Sequence, residues 1–165
     1  MGRRTTLWTL AALALSGCGE APKPPEKPIK ANAVFEGLPL SGNQATAIAA
    51  GLTDCVDATK GVRCRKDGIR VMGVGPVSVA VDLELKADDG SARFDHVTLW
   101  HPTDQGVVLG LEGTLADAGW KSCITITEER FWRPPSALRI AIDTSYWGDR
   151  RVVISAPPPD PKPYC

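Results

Sequence analysis

The two histidines of this 165-residue chain, His96 and His101, are the side chains best suited to acid–base or metal chemistry near neutral pH. Asp95 and Asp104 lie close to them in the sequence, so a metal or acid–base site has to be considered. Residues five apart on a continuous strand point to opposite faces, however, so the two imidazoles do not converge. The chain also lacks the short motifs of zinc proteases, serine hydrolases and phosphate-binding loops. We therefore predict no catalytic residue, no metal ligand and no cofactor.

The first 18 residues carry a different kind of pattern. Arg3 and Arg4 precede an apolar run over residues 7–15, which is too short to span a bilayer, and small residues then lead to Cys18. This order resembles the signal peptide of bacterial lipoproteins. The resemblance covers residues 1–18 only, and it implies that residues 1–17 are removed and that Cys18 is lipidated. Acyl chains on Cys18 would then anchor the mature protein to a membrane of the cell envelope.

The residue after the lipidation site predicts which membrane is used. In the lipoproteins that this leader resembles, an aspartate at this place favours the inner membrane, so Gly19 predicts the outer membrane, facing the periplasm. Lys and Arg number 19 and so do Asp and Glu, so loss of Arg3 and Arg4 leaves a mature net charge of about −2. Because there is no basic excess, nucleic acid is not expected as a partner.

Two proline-rich segments flank the part of the chain that can form a core. Residues 18–35 hold the lipidated cysteine and a proline-rich tether of mixed charge. Residues 157–165 form a proline-rich tail, in which a helix or a central strand is excluded. The residues between them, 36–156, have the size of one domain.

Hydrophobic periodicity predicts that this domain is of the α+β class. Residues 43–51 are expected to form a short helix with Ser41 as its N-cap, and a second helix runs from a cap at Thr103 or Asp104 to residue 118. Alternating apolar and polar residues predict strands near residues 69–71, 77–86, 92–101, 124–126, 138–142 and 152–154. The order of helix, strands, helix, strands predicts an antiparallel sheet with two short helices on one face. The alternative is a β-sandwich in which residues 104–118 form a loop.

A weak internal repeat relates the two halves of the domain. Residues 46–55, TAIAAGLTDC, align with residues 114–123, TLADAGWKSC, at an offset of 68. Both segments predict the end of a helix, with a glycine in the left-handed conformation, an apolar residue that folds back, and a cysteine in the next strand. Either a duplicated helix-plus-strands unit or chance similarity accounts for this pattern.

Four cysteines remain once Cys18 is assigned to lipid: Cys55, Cys64, Cys123 and Cys165. In an oxidising periplasm they predict two disulfides, for which three connectivities exist. We favour Cys55 with Cys64, because a turn at residues 59–60 places their sulfurs opposite each other. Cys123 then pairs with Cys165 and ties the tail across the solvent face of the sheet. Cys123 is expected on that face because Ile124 and Ile126 are expected to face the core.

Two predicted loops combine aromatic side chains with arginine. The candidate partner-binding residues are Phe131, Trp132, Arg133, Tyr146 and Trp147. Tryptophan, tyrosine and arginine together have the composition of binding hot spots. The alternative is that these aromatic side chains fold over the ends of the sheet and complete the core.

The sequence therefore predicts a membrane-anchored lipoprotein of the cell envelope with a non-enzymatic structural, accessory or partner-binding role. Its expected contacts are the membrane, through the lipid, and an envelope protein of unknown identity. A periplasmic hydrolase-type enzyme and a small-ligand or cell-wall binding module are the alternatives.

Overall fold

A computed structural model describes residues 26–59, 61–85, 91–145 and 149–156. Two helices lie in these ranges, α1 (Gln44–Ala49) and α2 (Gln105–Asp117). The strands, in chain order, are β1 (Val34–Phe35), β2 (Leu38–Pro39), β3 (Gly42–Asn43), β4 (Asp54–Ala58), β5 (Gly61–Val71), β6 (Val74–Leu85), β7 (Ala92–Phe94), β8 (His96–Trp100), β9 (Lys121–Ile124), β10 (Glu128–Trp132), β11 (Arg139–Asp143) and β12 (Val152–Ser155). The predicted α+β class is confirmed. The β-sandwich alternative is wrong, because the segment that it treats as a loop forms α2.

Ten of these strands form one antiparallel sheet. Its order is β4, β5, β6, β8, β12, β11, β10, β9, with β7 beside the end of β6 and β3 beside β7. The helix α1 precedes the run β4, β5, β6, and α2 precedes the run β9, β10, β11, β12. Strand β8 lies between the two runs, paired with β6 on one side and with β12 on the other. The sheet therefore has two similar halves that meet near its centre.

The two helix ends that align in the sequence have the same local geometry. Gly51 and Gly119 have φ values of +87° and +80°, the left-handed conformation that glycine adopts without strain. The next residues, Leu52 and Trp120, each donate a 3.0 Å backbone hydrogen bond back into the preceding helix and are buried. This part of the repeat is confirmed as a shared structural motif.

The helix starts are set by side chains that cap the backbone. Of the two predicted caps of α2, Thr103 and Asp104, the cap is Asp104, whose side chain accepts a 2.8 Å hydrogen bond from the backbone N–H of Gly106. The cap of α1 is Asn43, whose Oδ1 accepts from the backbone N–H of Thr46 at 3.0 Å. The prediction of Ser41 as this cap is wrong, because the Ser41 hydroxyl instead donates to Asn32 Oδ1 at 2.7 Å.

The buried pair Asn43 and Thr46 also binds the chain that enters the domain. The backbone N–H of Ile29 donates to Thr46 Oγ1 at 2.9 Å and to Asn43 Oδ1 at 3.2 Å. Asn43 Nδ2 donates to the carbonyl of Lys27 at 2.8 Å. Residues 27–35, which the sequence assigns to the tether, are thus attached to the domain or form β1. Residues 18–25 of the predicted tether lie outside the described residues.

The core lies between the helices and one face of the sheet. The helix α2 buries Val108, Leu111 and Leu115, whose spacing of three and four places them on one side. Alternate residues of the central strands meet them, for example Val79 on β6 and Leu99 on β8, both fully buried. Because strand side chains alternate, this burial leaves the intervening residues on the opposite face.

The predicted disulfide between Cys55 and Cys64 is confirmed, and it joins directly opposed residues of the hairpin formed by β4 and β5. Cys123 is also disulfide-bonded. Cys165, its predicted partner, lies outside the described residues, as does the lipidation site Cys18. The pairing of Cys123 with Cys165 therefore stays a prediction.

The expectation that Ile124 and Ile126 face the core is wrong. Their exposed fractions are 77% and 100%. Ile124 ends β9, the edge strand, and Ile126 lies in the turn to β10. Cys123 is nevertheless on the solvent side of the sheet, because it lies opposite Arg130, the neighbour in sequence of the buried Phe131.

Candidate functional site

One broad face of the sheet carries no described helix, and we call it the open face. Its central row crosses eight strands and consists of Asp54, Arg65, Ala80, Thr98, Val153, Ala141, Arg130 and Cys123. The middle of this row is built from small side chains, and arginines stand toward both of its ends. The register of the sheet thus produces a shallow floor with charged margins.

Rows on either side of this floor add aromatic and charged groups. One flanking row holds His96, Ser155, Arg139, Trp132 and Lys121, which oppose one another across five strands. On the other side Ser78 opposes Trp100, and Asp143 opposes Glu128. Trp100 and Trp132 are half-buried, so each tryptophan presents part of its side chain to solvent.

Ion pairs hold the arginines of the open face in place. Three such pairs among the described residues are Arg63–Asp82, Arg65–Asp54 and Arg130–Glu128. Arg63 and Asp82 form two parallel hydrogen bonds, with Nε to Oδ1 at 2.6 Å and Nη2 to Oδ2 at 2.9 Å. The hydrogen bond that Arg63 donates to Asp82 raises the pKa of Arg63, although partial burial opposes this effect. Such two-point pairing fixes the guanidinium plane and reduces the side-chain freedom that binding would otherwise remove.

Four shallow depressions border this face in the described part of the chain. One of about 600 Å³ runs beside β5 and β6, and Arg63, Asp82 and His96 are among its lining residues. Another, of about 390 Å³, lies beside Arg65, Ser78 and Trp100. Arg151 borders the other two: one of about 150 Å³ that Trp100 also lines, and one of about 360 Å³ beside Asp143. Arg151 is exposed, so its guanidinium is available near the middle of the face.

The predicted partner-binding residues 131–133 are separated by the structure. Phe131 is 1% exposed and packs in the core, so it does not contribute to a surface. Trp132 is its neighbour on β10 and lies on the open face. Arg133 follows β10, and its side chain reaches the C-terminal end of α2. There the guanidinium stacks over the ring of Trp120, 5.2 Å from the ring centre, and donates to the carbonyl of Ala118 at 3.1 Å. Strand alternation is the physical reason that these three neighbours have different surroundings.

The other predicted contact residues, Tyr146 and Trp147, lie outside the described residues. Sequence reasoning missed Trp100 and Arg151 as surface residues. A signal for Trp100 was available, because it alternates with Val97 and Leu99, which are buried. Arg151 stands just before β12, and only the register of that strand places it on the open face.

The two histidines have separate environments. His96 lies on the open face and its Nδ1 is 2.8 Å from Asp95 Oδ1. His101 follows β8, and its Nδ1 accepts the backbone N–H groups of Thr103 and Asp104 at 3.3 Å and 2.8 Å. Its contacts therefore shape the turn before α2. Within the described ranges, no three His, Cys, Asp or Glu side chains are grouped as metal ligands.

Comparison with known proteins gives no indication of function, so the argument for a function rests on the surface of the protein. No protein-family model, curated protein or solved structure matches this chain. Among the described helices, none combines the length and the apolar character needed to cross a membrane.

Proposed function

We propose that this protein is a lipid-anchored component of the cell envelope, in the outer membrane facing the periplasm, that binds another envelope protein through its open face. The observation that carries this proposal is the arrangement of Trp100, Trp132 and Arg151 around a floor of small side chains. Tryptophan and arginine are enriched among the residues that dominate binding energy at protein interfaces.

The size of the open face suits a protein partner. Eight neighbouring strands extend over roughly 34 Å, and five residues along a strand extend over roughly 17 Å. The product of these two lengths is roughly 600 Å², without the extra area of side chains that project from the sheet. This area is of the same order as the ~800 Å² that each partner contributes to a stable interface.

The charges of this face also favour a protein over a nucleic acid. Arg63, Arg65 and Arg130 each have a carboxylate partner on the same face. The surface therefore carries both signs of charge, and the whole chain has 19 basic and 19 acidic residues, whereas nucleic-acid binding requires a basic excess. The depression beside His96 is open to solvent, which supports binding over catalysis in a water-excluded site.

The proposal can be tested in cells with a photo-crosslinking amino acid placed at Trp100. The matched control places it at Ile48, which is 46% exposed on α1, on the helix side of the sheet. We expect one discrete protein adduct from position 100 and none from position 48. Arg151→Glu should abolish the adduct, because it inverts the charge beside the crosslinker.

Two results would contradict this proposal. Equal adducts from both positions would show contacts without preference for the open face, and a lack of adducts at position 100 would show that no protein docks there. Anchoring is tested separately with Cys18→Ser, which should move the protein from the membrane fraction to the soluble fraction. Full retention of Cys18→Ser in the membrane fraction would exclude the lipid as the anchor.

A further inference from the structure

We propose that the depression of about 150 Å³ beside Trp100 binds one phenol ring, the side chain of a tyrosine on the partner protein. We call this depression the pit. In the described part of the chain it is lined by Arg63, Ala80, Thr98, Trp100, Asp149 and Arg151. The fit of a phenol ring does not depend on the proposed function. Only the source of the ring, a tyrosine of the docked protein, rests on it.

The register of three strands creates the pit. Ala80 on β6 opposes Thr98 on β8, and Thr98 opposes Val153 on β12. The same register of β12 places Arg151 beside Trp100, two residues further along β8. Ala80 is only 2% exposed although it lies on the open face, because the larger side chains around it rise above it. A row of small side chains thus lies next to a row of large ones, and Ala80 and Thr98 form the floor of the pit.

The volume of the pit suits a single side chain of the partner. A protein cavity of roughly 150 Å³ holds one benzene molecule, and the pit has about the same volume. Size alone therefore selects a ligand with one ring or a short branched chain. The groups that line the pit decide between an aliphatic chain, a benzyl group and a phenol.

Flat and charged groups on the walls favour an aromatic ring over an aliphatic chain. Trp100 is half-buried and lines the pit, and aromatic pairs in edge or offset contact gain stabilisation beyond the area that they bury. Arg63 lines the pit with a guanidinium whose plane is fixed by its two hydrogen bonds to Asp82. A guanidinium close to the face of an aromatic ring attracts that face. Because Arg63 is already ordered, a ring that binds beside it removes little side-chain freedom.

Polar groups that line the pit favour a phenol over a benzyl group. The carboxylate of Asp149 is held by Gln105, whose Nε2 donates to Asp149 Oδ1 at 3.4 Å. The hydroxyl of a phenol can donate to this carboxylate or to Thr98, and it can accept from Arg151. A carboxylate ligand would instead meet the like charge of Asp149, so the lining favours a neutral ligand.

Titration of p-cresol, which has the same phenol ring as tyrosine, into the purified mature protein tests the pit directly. NMR should show saturable shifts of the backbone amides of Ala80, Thr98 and Trp100. The matched control ligand is 4-methylcyclohexanol, which has a six-membered ring and the same substituents but no aromatic face. We expect it to bind more weakly than p-cresol by roughly fivefold.

Substitutions then locate the site. Ala80→Leu fills the pit and should abolish p-cresol binding, whereas Ala141→Leu, the same change on β11 outside the pit, should leave the dissociation constant unchanged. Both variants must unfold cooperatively to be compared. Trp100→Leu, which should weaken binding roughly tenfold, takes the place of Ala80→Leu if that variant does not fold. The proposal is overturned if p-cresol does not bind, if both ligands bind equally, or if the pit variants bind p-cresol as the unchanged protein does.

Crosslinking in cells tests whether the ring belongs to the partner. Tyrosine is among the residues that dominate binding energy at protein interfaces, and such residues occupy pockets of the other protein. A photo-crosslinking amino acid at His96, which lines the neighbouring depression, should give a protein adduct that Ala80→Leu abolishes. An adduct that survives Ala80→Leu would overturn the assignment to a partner tyrosine and leave the proposed function standing. Saturable p-cresol binding without any adduct from positions 96 and 100 would contradict the proposed function and leave the pit as a phenol site.

Discussion

Asn43 links the start of α1 to the chain that enters the domain, and Asn43→Ala should be strongly destabilising. The substitution removes the cap on the N–H of Thr46, which is worth about 1 kcal/mol. It also removes hydrogen bonds to the backbone of Ile29 and Lys27, each worth about 1 kcal/mol. Thr46 keeps its own hydrogen bonds to Ile29, so part of the attachment survives. We expect a loss of about 2 to 3 kcal/mol in the free energy of unfolding.

Urea unfolding of the mature domain measures this loss, and two further variants separate its causes. Asn43→Asp keeps an oxygen that can cap the helix, but it replaces the donor to Lys27 with a buried carboxylate oxygen that faces the same carbonyl, so at neutral pH it should cost more than about 1 kcal/mol. Ser41→Ala removes only the exposed contact with Asn32, so it should cost less than about 1 kcal/mol. If Ser41→Ala destabilised the domain as much as Asn43→Ala, the assignment of Asn43 as the cap would be refuted.

Two further predictions concern backbone geometry and pH. Gly61→Ala should cost several kcal/mol or prevent folding, because φ is +147° and the added Cβ would lie 1.9 Å from the carbonyl oxygen of Leu83. Gly113→Ala is the matched control. Its added Cβ meets no atom within 4 Å, so it should stabilise α2 by up to about 1 kcal/mol. Thermal unfolding of both variants checks this, and a stable Gly61→Ala would contradict the geometry of the turn. Burial and the charge of Glu129 raise the pKa of Glu112, so its ionised form is disfavoured in the folded state and stability is gained as pH falls through the raised pKa. Glu112→Gln should therefore raise the melting temperature at neutral pH but not below the carboxylate range, and an equal effect at both pH values would exclude the ionisation as its cause.

Structural features that depend only on residues close together in the chain could be predicted from the sequence. The cap at Asp104 and the left-handed glycines Gly51 and Gly119 follow from interactions within one helical turn, and these predictions are confirmed. The hairpin that joins Cys55 to Cys64 is similarly local, because its two cysteines are nine residues apart. Short-range hydrogen bonds and turn geometry leave clear signals in the order of residue types.

Features that depend on packing between distant segments were decided only by the tertiary structure. The sequence could not distinguish Ser41 from Asn43 as a cap, because the advantage of Asn43 comes from contacts to residues 27–29. Alternation predicts two faces for a strand, but which apolar residues are buried depends on where the helices lie, and Ile124 is exposed because its strand is at the edge of the sheet. The open face arises from the register of eight strands, which brings Arg65 and Arg130 into one row although 65 residues separate them in the chain. Such a row is a property of long-range pairing, since each strand alone specifies only its own alternation.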